Sequence, residues 1–182
     1  VYVREEDGFG LRPNIGLRGA NSDRSKKVTL LEDGVLMAPA PYSAPAAYYV
    51  PNAARHSSIE VLKGPASIKY GPHTVGGAIN YVTSDLAREE VAEIDLSGGS
   101  DGYFKVQTFL GKDFGEVSIL FDALRYESDG FKTLDNGEDT GFHRNDVNVK
   151  IKWQPETEKV QSLSVKLGYA DEDANETSLG LT

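Results

Sequence analysis

Asp146-Val147-Asn148-Val149-Lys150-Ile151-Lys152-Trp153 sets polar and apolar residues in strict turn, so alternate side chains fall on opposite faces of a β-strand. Wound as a helix, the same stretch would scatter its apolar residues around the whole circumference. The rhythm extends outward from this point. Residues 163–169 fit at all seven positions, 91–97 and 117–123 at six of seven each, and 104–110 at five of seven. Short connections at Gly98–Gly102, Lys112–Gly115 and Pro155–Lys159, and one long polar stretch from Ser128 to Gly141, link these segments. Together they predict a meander of five antiparallel strands.

Alternation alone leaves two architectures open, because half-buried strands alternate in any antiparallel sheet, a soluble sandwich included. Two details favour a wall with lipid on one side and water on the other. The polar faces of 91–97 and 145–153 carry Glu93, Asp95, Asp146, Lys150 and Lys152, which suits a water-filled interior, and Trp153 and Tyr169 sit near strand ends, where aromatic girdles form. The chain has no apolar run long enough for a spanning helix, a fact that leaves a membrane barrel open.

Charge divides the chain at the same place. Residues 1–83 carry nine Lys/Arg against seven Asp/Glu, and 84–182 carry ten against twenty-one, within a net charge of −9. The acidic second half speaks against binding a phosphate backbone, so no nucleic-acid partner is expected. Cysteine is absent, which removes disulfide frameworks, thiolate metal sites and thiol nucleophiles. The opening Val1-Tyr2-Val3 has neither a methionine nor a charged leader, and the natural N-terminus is expected upstream.

The first region is dense in Gly and Pro. Short β-like runs at Val28–Leu31, Ile59–Leu62 and Ala78–Thr83 are punctuated by Asp33-Gly34, Gly64-Pro65, Gly71-Pro72 and Gly76-Gly77. A helical turn is expected at Ala53–Ser57. Four prolines and three tyrosines (Tyr42, Tyr48, Tyr49) in Ala38–Pro51 predict a stiff loop.

Four ordered motifs then fall within 70 residues: Arg12-Pro13-Asn14-Ile15-Gly16-Leu17-Arg18-Gly19; Leu31-Glu32-Asp33-Gly34-Val35; Ile59-Glu60-Val61-Leu62-Lys63-Gly64-Pro65-Ala66-Ser67-Ile68-Lys69-Tyr70-Gly71; and Gly76-Gly77-Ala78-Ile79-Asn80. In order and spacing they resemble the plug of TonB-dependent outer-membrane receptors. The resemblance implies a mainly β fold: an α+β plug domain at 1–83, then at 84–182 the first strands of an incomplete transmembrane β-barrel of about 22 strands, whose lumen is too wide for its own side chains to fill. It further implies a Gram-negative outer-membrane importer of a ferric chelate, monomeric when full length. Its partners would be the TonB complex in the periplasm, the ferric siderophore or citrate, and outer-membrane lipid and lipopolysaccharide. Segment 38–51 is most similar to that of ferric dicitrate receptors; vitamin B12, a glycan or another metal complex is the alternative cargo.

The resemblance also assigns Arg18 and Lys63 to cations that lock the plug to barrel glutamates, which would lie beyond Thr182. Lys63 stands where Arg is common, which removes the bidentate fork. The alternative is pairing with Glu32, Asp33 or Glu60 inside the plug. For ligand capture the residues expected are Tyr42, Tyr48 and Tyr49, by stacking or hydrogen bonding, and Arg55, by attraction of the chelate's negative charge. Gly19, Gly34, Gly64, Gly71, Gly76 and Gly77 are expected in tight turns or close backbone contacts. Segment Gly71–Gly77 lacks the Gly-Lys-Ser/Thr ending of a phosphate loop. His56 and His73 lack a second metal ligand at short spacing, and no nucleophile–base pair is evident, so neither a resident metal or cofactor nor catalysis is expected. The acidic stretches Glu127–Asp139 and Asp171–Glu176 read as solvated loop surface.

Overall fold

The computed structural model describes residues 1–5, 8–37, 49–71, 74–84, 90–132, 137, 139–157 and 161–175. The chain divides into two compact units, Val1–Ser84 and Asp85–Thr182.

In the first unit, β1 (Tyr2–Arg4) pairs antiparallel with β2 (Asn14–Gly16) as a separate two-stranded sheet. A four-stranded mixed sheet follows, of β3 (Val28–Glu32), β4 (Val35–Leu36), β5 (His56–Leu62) and β6 (Gly77–Thr83), in the order β4-β3-β6-β5. Strand β3 runs parallel to β6, with Val28 opposite Gly77 and Glu32 opposite Tyr81, while β5 runs antiparallel to β6. The core gathers Ile15, Leu17, Val28, Leu30, Val50, Ile79 and Tyr81. Burial of such side chains, at about 1.5–3 kcal/mol each, holds together a unit that has no long helix among its described residues.

Polar groups fix the turns. Asp33 and Gly34 both take positive φ (50° and 81°), as a two-residue hairpin following the strand twist requires. The Asp33 carboxylate accepts from the backbone N–H (2.9 Å) and hydroxyl (2.6 Å) of Thr83, while the Gly34 N–H donates to Asn80 Oδ1 at 2.8 Å, so the β3–β4 turn is tied to β6. Gly77 (φ 142°) sits where an added Cβ would lie 2.4 Å from the Leu62 carbonyl oxygen and 2.8 Å from a Leu17 methyl, which no side chain tolerates.

The helical turn expected at Ala53–Ser57 is a 3-10 turn confined to Ala53–Arg55. The strand wins the remainder: β5 begins at His56, with a bulge between His56 and Ser58, and the Ser57 hydroxyl donates to the Val82 (3.2 Å) and Thr83 (3.4 Å) carbonyls. Two more 3-10 turns, Asp23–Ser25 and Pro65–Tyr70, go beyond what the sequence led us to expect; the latter opens on a proline whose missing N–H costs nothing at that position.

The second unit is a five-stranded antiparallel meander in sequential order: β7 (Val91–Gly98), β8 (Phe104–Asp113), β9 (Val117–Ser128), β10 (Phe142–Trp153) and β11 (Leu163–Ala174). The last three are longer than their apolar runs, because pairing continues past the apolar residues through Arg125, Asn145 and Asp171, which face one another across β9, β10 and β11.

Its two faces are inverted relative to a soluble sheet. Leu167, Val149, Phe121, Leu110 and Ala92 form one row across all five strands, and Gly168, Asn148, Asp122, Phe109 and Glu93 the next row, on the opposite face. Ile94 (71% exposed) and Leu167 (66%) lie open on the apolar face, whereas Gln107 (4%) and Asp146 (1%) are buried on the polar one. Val147, Ile151 and Trp153 are likewise exposed, so the residues that a soluble sandwich would bury against a second sheet stand open instead. Such a surface, apolar across five strands, suits contact with hydrocarbon rather than water.

Candidate functional site

Tyr42, Tyr48 and His73 lie outside the described residues. Tyr49 and Arg55 lie within them, and the position of Arg55 corrects the role expected for it. Rather than reaching out for an anion, Arg55 is 2% exposed and turned into its own unit. Its Nη1 donates to the Tyr49 hydroxyl at 3.2 Å, and its Nη2 meets Glu32 Oε1, at the end of β3, at 3.4 Å. The cause is local: Asn52 caps the 3-10 turn by accepting from the Ala54 N–H at 2.8 Å, and the turn presents Arg55 toward β3. A guanidinium so placed needs an anionic partner, which Glu32 supplies. His56 follows with its side chain fully buried; its Nδ1 lies 2.8 Å from the Asn52 carbonyl and its Nε2 3.8 Å from Glu32 Oε2. Tyr81 stacks at a tilt against the His56 ring, centroids 5.3 Å apart, and burial raises its phenol above the ordinary range.

Arg18 and Lys63 present the opposite picture. Both side chains are exposed. Leu17–Ala20 is a tight turn, closed by the Ala20 N–H on the Leu17 carbonyl (3.0 Å), in which Arg18 (φ 55°) and Gly19 (φ 76°) both take positive φ. It holds Arg18 at the edge of a cleft of about 580 Å³ shared with Tyr2 and Asn21. Neither cation forms an ion pair among the described residues. The alternative of pairing inside the plug is not adopted: Glu32 meets Arg55, Asp33 bonds Thr83, and Glu60 accepts from Asn80 Nδ2 at 2.9 Å.

Of the glycines, Gly19, Gly34, Gly64, Gly71 and Gly77 have positive φ, and Gly76 lies where a Cβ would come within 3.0 Å of the Lys27 carbonyl.

The sequence reading passed over the buried network on the polar face of the second unit. Arg144 Nε donates to Asp146 Oδ2 at 2.8 Å and its Nη1 to Glu172 Oε2 at 3.0 Å, while Asn148 donates to Asp122 at 3.2 Å. These five residues line β9–β11 on one face. The signal was present in Arg144-Asn145-Asp146: in a strand, residues two apart share a face, and opposite charges there satisfy each other. The polar face thereby carries structured charge held in a lattice of hydrogen bonds.

Comparison with known proteins sets this geometry among relatives. Residues 1–78 match the family described as TonB-dependent Receptor Plug Domain. The vitamin B12 transporter BtuB of Photobacterium profundum is 27% identical over 148 residues, covering 79% of this chain and 24% of that protein. The ferric yersiniabactin uptake receptor FyuA from Yersinia pestis superposes with a TM-score of 0.75 at 23% identity, over 93% of this chain and 27% of its own. The ferric citrate transporter FecA in its unliganded form superposes with a TM-score of 0.74 at 22% identity, over 95% and 27%. At such identities the two structures speak to the fold. The chain spans 24% to 27% of the length of these proteins.

Proposed function

We propose that this chain belongs to the TonB-dependent receptors of the Gram-negative outer membrane, and that the whole protein imports a ferric chelate, ferric citrate or another siderophore, drawing work through TonB. The observation that carries the reading is the sequence of two units: a plug domain, then a five-stranded sheet with its apolar face open and with Asp122, Arg144 and Asp146 buried on the opposite face. A wide barrel needs a separate domain to close its lumen, and a plug needs a wall. No covalent step is assigned to any residue, and no resident cofactor; the metal complex is cargo.

In this reading segment 38–51 faces the cargo, with Tyr42, Tyr48 and Tyr49 offering ring faces and hydroxyls. Arg55 stands behind Tyr49, holding its hydroxyl, rather than touching the chelate. Arg18 and Lys63, exposed and without ion pairs in the described part of their own unit, fasten the plug to glutamates on later barrel strands. The apolar face of β7–β11 meets lipid and, toward the Arg125–Asn145–Asp171 row, lipopolysaccharide. The full-length receptor is a monomer.

Ferric citrate is supported by the resemblance of segment 38–51; vitamin B12 is the second reading, favoured by the 27% identity to BtuB. Titration calorimetry of the full-length receptor in detergent against ferric dicitrate, a ferric catecholate, a ferric hydroxamate and cyanocobalamin separates them. Heat with an iron chelate alone supports the first, and with cyanocobalamin alone the second. Silence with all four, together with undiminished iron uptake in a receptor-deletion strain, would remove the iron reading.

A further inference from the structure

Ladder register fixes the level of every residue in β7–β11, and the apolar belt on the outward face does not keep to one level. On β9, β10 and β11 the belt runs from the ladder partners Ala123, Val147 and Tyr169 down to Val117, Trp153 and Leu163. The rungs above it are polar: Arg125, Asn145 and Asp171, then Glu127, His143 and Asp173. On β8 and β7 the belt stands two rungs higher. Phe104 and Gly98 are level with Glu127, Val106 and Leu96 with Arg125, and the belt ends at Leu110 and Ala92. One rung below, Lys112 is level with Ile119, Ile151 and Val165, and its Nζ meets Glu90 at 2.6 Å. A charged pair thus occupies a rung that is aliphatic on the next three strands. Upper and lower edges step by the same two rungs in the same direction, as a flat boundary crossing the strands obliquely requires and a scatter of polar residues does not. Spread over the five strands, the step is about 4 Å per strand against a strand spacing of about 4.8 Å, an inclination of about 40°. Strands of a closed barrel tilt by about the same amount.

We infer that the hydrocarbon layer lies across this sheet along that oblique line, and that the two charged corners it leaves outside are surfaces for lipid headgroups, one for each leaflet. The inference rests on the outer-membrane reading and adds to it which residues meet which layer. The upper corner holds Arg125, Glu127, His143, Asn145, Asp171 and Asp173; there the Arg125 guanidinium is fixed by Glu127 and by Asn145 Oδ1 at 3.2 Å. The lower corner holds Glu90 and Lys112, whose ammonium also lies 5.6 Å from the centre of the exposed Phe114 ring. A long cationic side chain beside an aromatic ring at the edge of an apolar belt is suited to the phosphates of the headgroup layer. Residues level along the ladder therefore differ in depth: Asp171 lies about 12 Å farther from the bilayer centre than Leu96, four strand spacings away on the same row.

Nitroxide depth measurements on the full-length receptor in phospholipid bilayers, from the ratio of oxygen to nickel-chelate collisions, test the inclination with two rungs. Labels on Leu96→Cys, Val106→Cys, Asn145→Cys and Asp171→Cys read the upper rung, and labels on Lys112→Cys, Ile151→Cys and Val165→Cys the lower. The expected result is a gradient of opposite sense with respect to the hydrocarbon at the two edges: on the upper rung 96 and 106 lie in hydrocarbon and 145 and 171 in the headgroup layer, while on the lower rung 112 lies in the headgroup layer and 151 and 165 in hydrocarbon. Either rung decides alone if a variant of the other fails to insert. Equal depth along each rung, with labels at 149 and 167 still deep, overturns the inclination and leaves the lipid-facing reading standing. Nickel access at 149 and 167 as well removes that reading and the inclination with it.

Discussion

Arginine in place of Val149 distinguishes lipid from water at the outer face of β10. Val149 lies between Phe121 of β9 and Leu167 of β11, within the exposed apolar face. Were that face bathed in water, a charge at a partly exposed position with no partner to disturb would shift stability by no more than about 0.5 kcal/mol. In hydrocarbon the same guanidinium costs about 2–4 kcal/mol at the bilayer midplane, falling to about 0–1 near the interface. His143→Arg supplies the second value from the same face of the same strand, beyond the apolar band and beside the Arg125–Asn145 pair. Equilibrium unfolding of the full-length receptor in lipid vesicles should therefore show Val149→Arg losing about 2–4 kcal/mol, roughly 30- to 900-fold in the folding constant, and His143→Arg no more than about 1. Equal costs at the two positions, or a cost below about 0.5 kcal/mol at Val149, would refute the lipid-facing assignment.

Three further outcomes follow from particular contacts. Gly77→Ala forces a Cβ against the Leu62 carbonyl at positive φ, and should lower plug stability by roughly 2 kcal/mol or more, read as earlier protease cleavage within residues 1–84 in denaturant. Removing both Arg18 and Lys63 should leave the chain folded but loosen the plug, seen as increased entry of a bulky antibiotic such as vancomycin into cells making the variant; unchanged sensitivity would count against the latch. Burial raises the Tyr81 phenol, so the folded state holds that proton more tightly than the unfolded chain. The stability this contributes is present below the ordinary tyrosine value of 10.0 and is lost as pH rises above it. Tyr81→Phe should flatten the alkaline slope of plug unfolding, and a slope unchanged from the natural protein would contradict the assignment.

The fold was legible to unequal depths. Period-two alternation located all five strands of the second unit, because a strand with different solvents on its two faces must alternate along its whole length. Where one face turned polar, at Arg125, Asn145 and Asp171, the apolar signal stopped but the ladder went on, so the upper ends of β9–β11 were invisible to it. In the plug the strands β3, β5 and β6 announced themselves through short apolar runs and turn residues. The two-residue β4 and the 3-10 turn Pro65–Tyr70 did not: β4 is defined by its pairing with β3, and the turn is fixed by side-chain bonds such as the Ser67 hydroxyl on the Gly64 and Thr74 carbonyls, which apolar patterning does not register. Arg55 shows the limit most clearly. In sequence it stands after a tyrosine-rich loop and reads as an anion trap; only the fold brings Glu32, 23 positions earlier, to its guanidinium. Arg18 and Lys63 were singled out by motif position rather than by local patterning; both side chains are exposed, and the contacts they make with later strands are a proposal.

The wall assignment is tested most directly by nitroxide side chains placed one at a time along residues 146–153 of the full-length receptor in lipid bilayers, a scan for which this chain offers no competing cysteine. Collision rates with lipid-soluble oxygen should peak at 147, 149, 151 and 153 with a period of two, while those with a water-soluble nickel chelate stay low at these four positions. Peaks for the nickel chelate at 147, 149 and 151, or low collision rates with both reagents there, would contradict a sheet that has lipid on its apolar side.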